Sequence, residues 1–271
     1  MTLEPLLILE LLVLGVATGF LAGLLGIGGG MMMVPFITLI MSQRGIAPDL
    51  SVKMAIATSM ATIMFTSIAS VRAHQKRGAV RWDLVKTLAP GIVIGSIVAS
   101  LGVFALLKGQ YLAIFFGLFV GFSATQMFRN KKSKATRQMP GTGGQLVAGS
   151  GIGFLSGLVG AGGGFISVPF MTWCNIPIHN AVGTSAALGF PIALANVTGY
   201  VISGQNVQNL PPASFGYIWL PALVVIAIAS FFTAPFGARA AHNLPVATLK
   251  RVFASILYVL AAYMLYKGLA G

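Results

Sequence analysis

Apolar residues run along this chain in blocks of mostly about 20, long enough to span a bilayer, with polar residues gathered between them. The blocks fall at 5–25, 52–71, 87–107, 110–128, 145–159, 181–203, 215–238 and 246–267. None alternates with the period of two that a barrel strand needs, so the pattern predicts membrane-crossing helices. Two shorter apolar pieces, 31–41 and 165–174, follow glycine-rich breaks at 26–30 and 160–164. At ~1.5 Å per residue they reach about half of a ~30 Å hydrocarbon core. They read as half-helices, and Pro35 and Pro169 within them signal a kink or a late start. The predicted fold class is an all-α integral membrane protein with about 8–10 membrane segments.

The breaks are copies of one another. Residues 19–38 read GFLAGLLGIGGGMMMVPFIT and residues 153–172 read GFLSGLVGAGGGFISVPFMT, with 13 of 20 positions identical at an offset of 134. A second echo pairs Ala55-Ile56-Ala57-Thr58-Ser59 with Ala181-Val182-Gly183-Thr184-Ser185 at an offset of 126. The chain therefore divides into two related halves, residues 1–128 and 145–271, joined by a basic, then Gly-rich linker at 129–144.

Composition supports hydrocarbon as the solvent. Only 8% of residues are charged and 56% are hydrophobic, with a mean hydropathy of +0.90. A soluble domain carries roughly 25% charged residues. The net charge of +13 would suggest nucleic acid in a soluble chain. Here the bases sit in loops, where they set topology, and nucleic acid is excluded as a partner. Loop 72–86 holds Arg72, Lys76, Arg77, Arg81 and Lys86, and the stretch 129–137 holds five more. The matching loop 204–214 has no charge, whereas 239–251 holds Arg239, His242, Lys250 and Arg251 against a lone Lys108 in the first half. The bias changes sides between the copies, as inverted repeats with both termini outside would require. Glu4 and Glu10 replace a basic leader region, and the first glycine motif recurs far down the chain, so residues 1–41 read as mature protein.

Candidate chemistry centres on the triplets Gly28, Gly29, Gly30 and Gly162, Gly163, Gly164. Three glycines in a row weaken a helix by ~1 kcal/mol each relative to Ala and free main-chain groups that lipid cannot satisfy. Such a break suits a cavity wall. The half-helices that follow would aim their N-termini, with bare N–H groups and partial positive charge, into that cavity as an anion site. Thr58, Ser59, Thr184 and Ser185 lie just inside the next spans as further hydrogen-bonding groups, and Asn196 is another polar candidate. The competing roles are close packing for glycines such as Gly19, Gly23, Gly91, Gly95, Gly117 and Gly121, back-bonding for the hydroxyls, and interhelix adhesion for Asn196. Glu10 suits snorkelling or proton carriage. Lys53, Arg72 and Arg239 suit either topology marking or an electropositive vestibule. Cys174 is alone in an apolar run, Met31–Met33 suit packing, and His74, His179 and His242 are scattered. No metal-ligand spacing, catalytic constellation or cofactor motif is found in the sequence.

GLLGIGGGMMMVPF at 23–36 and GLVGAGGGFISVPF at 157–170 resemble the paired signature of the sulfite exporter TauE/SafE family, also called TSUP or four-toluene-sulfonate uptake. The resemblance covers essentially the whole chain. It implies a multi-pass transporter of the bacterial inner membrane whose partners are a small sulfur-containing anion and the lipid bilayer, with a homo-oligomer as an open option. Members are often predicted with about eight spans in parallel-looking halves, whereas the charges here point to inversion. The expected function is secondary export of sulfite or a small organosulfonate such as sulfoacetate by alternating access. A passive anion channel, and an uptake permease for another sulfur-containing or organic anion, are the alternatives. An intramembrane enzyme or an assembly subunit finds no support in the residues. The chain lacks GxxxxGK[ST], so ATP is not hydrolysed by that route.

Overall fold

The computed structural model describes residues 4–26, 29–129, 137–243 and 246–270, with the side chains of 242–250 left out. The first half carries α1 (Pro5–Leu25), α2 (Gly30–Gln43), α3 (Pro48–Gln75), α4 (Trp82–Ile97) and α6 (Gly109–Arg129). A π-helical segment Val98–Val103 and the short α5 (Phe104–Leu106) continue α4 as one rod. The second half carries α7 (Thr142–Val159), α8 (Gly164–Trp173), α9 (Ile178–Gly204), α10 (Leu220–Asn243) and α11 (Val246–Ala270). Among the described residues seven helices are long and apolar enough to cross a membrane. The helix α2 has 14 residues, α7 has 18 and α8 has 10.

The centre is α3 and α9. Of their most apolar stretches 78% and 61% are buried, against 39–44% for the other five spans, whose exposed Leu, Val, Ile and Phe face the position of lipid. The packing partners follow from small residues. A Cβ on Gly19 or Gly23 of α1 would collide with Ser230 or Ala234 of α10, and one on Gly91 or Gly95 of α4 with Leu146 or Ser150 of α7. These are close-approach glycines, the packing role that their spacing suggested. Contacts advance together along both pairs, Gly15 by Ala229 and Gly23 by Ala238, Gly91 by Leu146 and Gly157 by Ala99, so each pair runs parallel. In contrast α3 and α9 run antiparallel, with Gly189 by Ser67 and Gly183 by Ala79 in the loop just after α3. So do α6 and α11, with Gly268 by Ile114 and Tyr258 bonded to Thr125.

Two details depart from the apolar pattern. The block at 215–238 is not helical from its start. Ser214–Phe215 pairs antiparallel with Ile218–Trp219 as strands β1 and β2, turning at Gly216 with φ 55°. That hairpin is apolar enough to merge with the helix behind it in any hydropathy reading. The first half-helix also extends further than its apolar core: α2 runs on through Ser42 and Gln43, because hydropathy ends before hydrogen bonding does, whereas α8 keeps the expected length. Gly28, the side chains of His242 and Lys250, and the linker bases Lys131, Lys132 and Lys134 lie outside the described residues.

Candidate functional site at the crossed helix breaks

Each break is made by glycines in left-handed conformation. Gly26 (φ 67°) ends α1, with its N–H on the Ala22 carbonyl, and Gly160 (φ 68°) ends α7, with its N–H on the Ser156 carbonyl. Gly29 (φ 71°) and Gly163 (φ 75°) then serve as N-caps of α2 and α8. A residue with a Cβ pays a steric penalty in this region, which is why four glycines are spent here. Their capping positions carry no side-chain oxygen, so the first N–H groups of both short helices lack the usual side-chain acceptor.

The two breaks meet, and they cross. Gly30 lies against the Gly160 carbonyl and Ala161, so that a Cβ there would collide with both. Gly26 abuts Val182 of α9, and Gly160 abuts Ile56 of α3, the corresponding position. The hydroxyls continue the exchange. Ser59 of α3 donates to the Gly160 carbonyl at 2.9 Å, and Ser185 of α9 donates to the Gly26 carbonyl at 3.0 Å. Ser167 of α8 donates to Ser185 at 2.8 Å. Thr58 accepts the main-chain N–H of Trp219 at 3.0 Å, and Thr184 accepts that of Arg81 at 3.0 Å. All four duplicated hydroxyls are fully buried. A hydroxyl has one proton, so Ser59 and Ser185 are in this conformation pins between the halves rather than donors to a solute.

A matching pair of bonds, each within its own half, ties the far ends of α3 and α9 to α1 and α7. His74 Nε2 lies 3.0 Å from the Gly23 carbonyl, and at the corresponding place Tyr200 donates to the Gly157 carbonyl. The carbonyl has no proton, so the imidazole donates from Nε2.

Beside the crossing lies a cleft of about 10 Å³, room for roughly one water molecule. Gly26, Gly162, Thr66, Ser67, Ser70 and Ser185 are among its walls. Gly162 and Ser185 are thus the sequence candidates that reach it, whereas Thr58, Ser59, Thr184 and Asn196 do not line it. Gly164 is buried at the start of α8. Asn196 donates to the Ile192 carbonyl at 2.8 Å, and its Oδ1, beside Gly157, has no hydrogen-bond partner among the described residues. Ser70, its counterpart at the offset of 126, is the residue that sequence reading missed. Its Oγ is buried, lines the cleft and has no partner among the described residues. A signal was present: Thr58, Thr62, Thr66 and Ser70 are spaced four apart, one polar stripe along an otherwise apolar helix. No acidic or basic side chain lines the cleft, so its polarity is that of hydroxyls and main chain. Among the described residues no group of three or more His, Cys, Asp or Glu is placed to hold a metal. Cys174, at the end of α8, is buried, and desolvation pushes its thiol up despite the nearby Arg137, so it stays protonated and unreactive at neutral pH.

A polytopic helical bundle with two broken helices crossed at its centre is the build of a membrane transporter. The chain belongs to the sulfite exporter TauE/SafE family, whose model matches residues 11–264. A relative from Haemophilus influenzae, described as "Probable membrane transporter protein", is 37% identical over 96% of this chain and 98% of its own length. Similarly described proteins from Methanocaldococcus jannaschii and Bacillus subtilis are 28% and 25% identical, over 97% and 96% of this chain and 97% of each relative. No solved structure gives a significant match.

Proposed function

We propose that the chain is a secondary carrier that exports sulfite or a small organosulfonate across a bacterial inner membrane by alternating access. The observation that carries this reading is the reciprocal pinning of the two breaks, Ser59 to the Gly160 carbonyl and Ser185 to the Gly26 carbonyl, beside a narrow hydroxyl-lined cleft. The main-chain N–H groups at Gly29, Gly30, Gly162 and Gly164, with Ser70, are the donors offered to the anion, while that of Gly163 is already bonded to the Ala161 carbonyl at 2.8 Å. Release of the two serine pins would add Ser59 and Ser185 to that set. Helix N-termini favour negative charge, and the absence of carboxylates in the cleft suits an anion better than a cation.

The halves, 1–128 and 145–271, are read as oppositely inserted. In support, α3 and α9, and α6 and α11, cross antiparallel while each first helix lies parallel to the other half's fourth. The loop after α3, the end of α6, the approach to α7 and the end of α10 then share one face, which carries Arg72, Lys76, Arg77, Arg81, Arg129, Arg137 and Arg239 among the described residues and is assigned to the cytoplasm. The cleft lies toward that face, bounded by the second half of α3 and the start of α9. A room of one water is too tight for a conducting pore, which weighs against the channel alternative. An inside-negative potential favours outward movement of an anion by ~2.3 kcal/mol per charge at 100 mV.

The test is flux into proteoliposomes. Purified protein is expected to give saturable movement of labelled sulfite or sulfoacetate, with counterflow when the same anion is loaded inside. Rates equal to those of protein-free vesicles would overturn the proposal, and a linear, unsaturable flux would favour a channel.

A further inference from the structure

Lys53 is a cation whose neighbours do not match it. It lies on α3 five residues before Thr58, and only 7% of its surface is exposed. No hydrogen bond or ion pair of its Nζ is found among the described residues. Asp49, one turn earlier, accepts the main-chain N–H of Gly109, and its negative charge acts on the ammonium only from beyond ion-pair distance. The ammonium instead faces two aromatic rings, 5.8 Å from the centroid of Phe104 and 5.6 Å from that of Tyr217. Aromatic faces offset part of the cost of desolvating a cation, but they supply no counter-charge.

Both rings belong to irregular elements found in one half only. Tyr217 is carried by the β1–β2 hairpin, which is fastened to the bundle where the Trp219 N–H meets Thr58 Oγ1 at 3.0 Å and Gly216 rests on Val201. Phe104 follows directly on the π-helical segment Val98–Val103, while the matching helix α10 is α-helical throughout. Such π segments concentrate at functional sites, because they turn a side chain out of register. Phe104 also packs on Tyr200, at 4.4 Å between centroids, and edge-on to Tyr217 at 5.5 Å. The residue corresponding to Lys53 in the second half is His179, which is exposed near the opposite face. The two mouths of the proposed route are therefore guarded differently: a roofed ammonium at one and an exposed imidazole at the other.

We propose that Lys53 is the anion-contacting group of a gate on the hairpin face. When the hairpin lifts from Thr58, the ammonium leaves the Phe104–Tyr217 box and pairs with the charged head of the solute. Lys53 then sets affinity and charge selectivity for solute on that face, and the hairpin roof keeps the site shut when no anion occupies it. This rests on the reading of the protein as an anion carrier.

The experiment compares wild type, Lys53→Met and Lys53→Arg in proteoliposomes, with sulfite or sulfoacetate offered to one face at a time. Loss of a charge-assisted contact is expected to raise KM on the hairpin face roughly 10- to 100-fold in Lys53→Met, with a much smaller change on the opposite face. Lys53→Arg, which keeps the charge, is expected to stay within about threefold. Lys53→Cys in a Cys174→Ser background provides the control for a merely structural role. Modification after folding with 2-aminoethyl methanethiosulfonate is expected to restore the KM, and the neutral 2-hydroxyethyl reagent is not. A wild-type KM in Lys53→Met on both faces, or equal rescue by both reagents, would overturn the proposal while leaving anion transport standing. A wild-type protein that moves no anion above protein-free vesicles would overturn both.

Discussion

Removing the hydroxyl of Ser185 tests the crossed breaks most economically. Ser185→Ala orphans two buried partners at once, the Gly26 carbonyl at 3.0 Å and the Ser167 hydroxyl at 2.8 Å. Ser59→Ala orphans one, the Gly160 carbonyl at 2.9 Å. A buried group left without its partner costs about 1–3 kcal/mol in water-soluble proteins. Interhelix hydrogen bonds in bilayers average nearer 0.6 kcal/mol, because the unfolded helices also find partners in lipid. The higher figure is the better guide here. The carbonyls of Gly26 and Gly160 are fixed by left-handed turns at the ends of α1 and α7 and cannot swing to another donor. The expected loss is therefore about 1 kcal/mol for Ser59→Ala and about 2 kcal/mol for Ser185→Ala. At roughly 2–4 °C per kcal/mol for a chain of this size, the thermal midpoint in detergent should fall about 2–4 °C and 4–8 °C. Adding Ser167→Ala to Ser185→Ala should cost less than the sum, since the same bond is removed twice. Midpoints of both single variants within about 1 °C of wild type would refute the claim that these hydroxyls hold the breaks together.

Three further outcomes are expected. Gly23→Leu drives a side chain into the Ala234 carbonyl of α10 and should abolish recovery of folded protein, whereas Gly121→Ala, with its nearest neighbour 3.9 Å away at Ala261, should leave the melting midpoint unchanged. Tyr200→Phe leaves the Gly157 carbonyl without its donor and should lower stability by about 1–2 kcal/mol, measured by thermal unfolding. Because burial raises the Cys174 thiol above its ordinary range, the reactive thiolate is scarce at pH 7 and forms only as pH climbs past that raised value. Maleimide labelling in detergent should therefore be slow at pH 7 and accelerate with pH beyond the range of a free thiol, and rapid labelling at pH 7 would contradict the burial.

Much of this architecture could be read from the chain because it is written twice. Hydropathy alone locates α1, α3, α6 and α11 to within a few residues, since lipid demands an uninterrupted apolar length. The glycine breaks stand out because duplication separates Gly28–Gly30 and Gly162–Gly164 from packing glycines such as Gly19 and Gly91. Periodicity does not tell a helix which partner it will meet, so the crossing of Ser59 to Gly160 and Ser185 to Gly26 could not be foreseen. Nor could the β1–β2 hairpin, whose residues SFGYIW are as apolar as the start of a span. The π segment ahead of Phe104 has no compositional mark at all, because one extra residue per turn depends on packing: Ser100 fits against Gly199 there, where a Cβ would not. Ser70 escaped notice because a single serine in a long apolar helix commonly bonds its own preceding turn. Only the cleft beside it distinguishes it.

The central claim, an anion held at the crossed breaks, is tested most directly by ligand-induced stabilisation of the purified protein. A ligand at 100 times its Kd adds about 2.7 kcal/mol to the native state. Sulfite or sulfoacetate should raise the melting midpoint of wild type and of Gly121→Ala, whose added methyl has its nearest neighbour 3.9 Å away at Ala261 and does not touch the cleft. It should fail to do so for Gly162→Leu, which fills the cleft. Equal shifts in all three proteins, or none in any, would contradict the account.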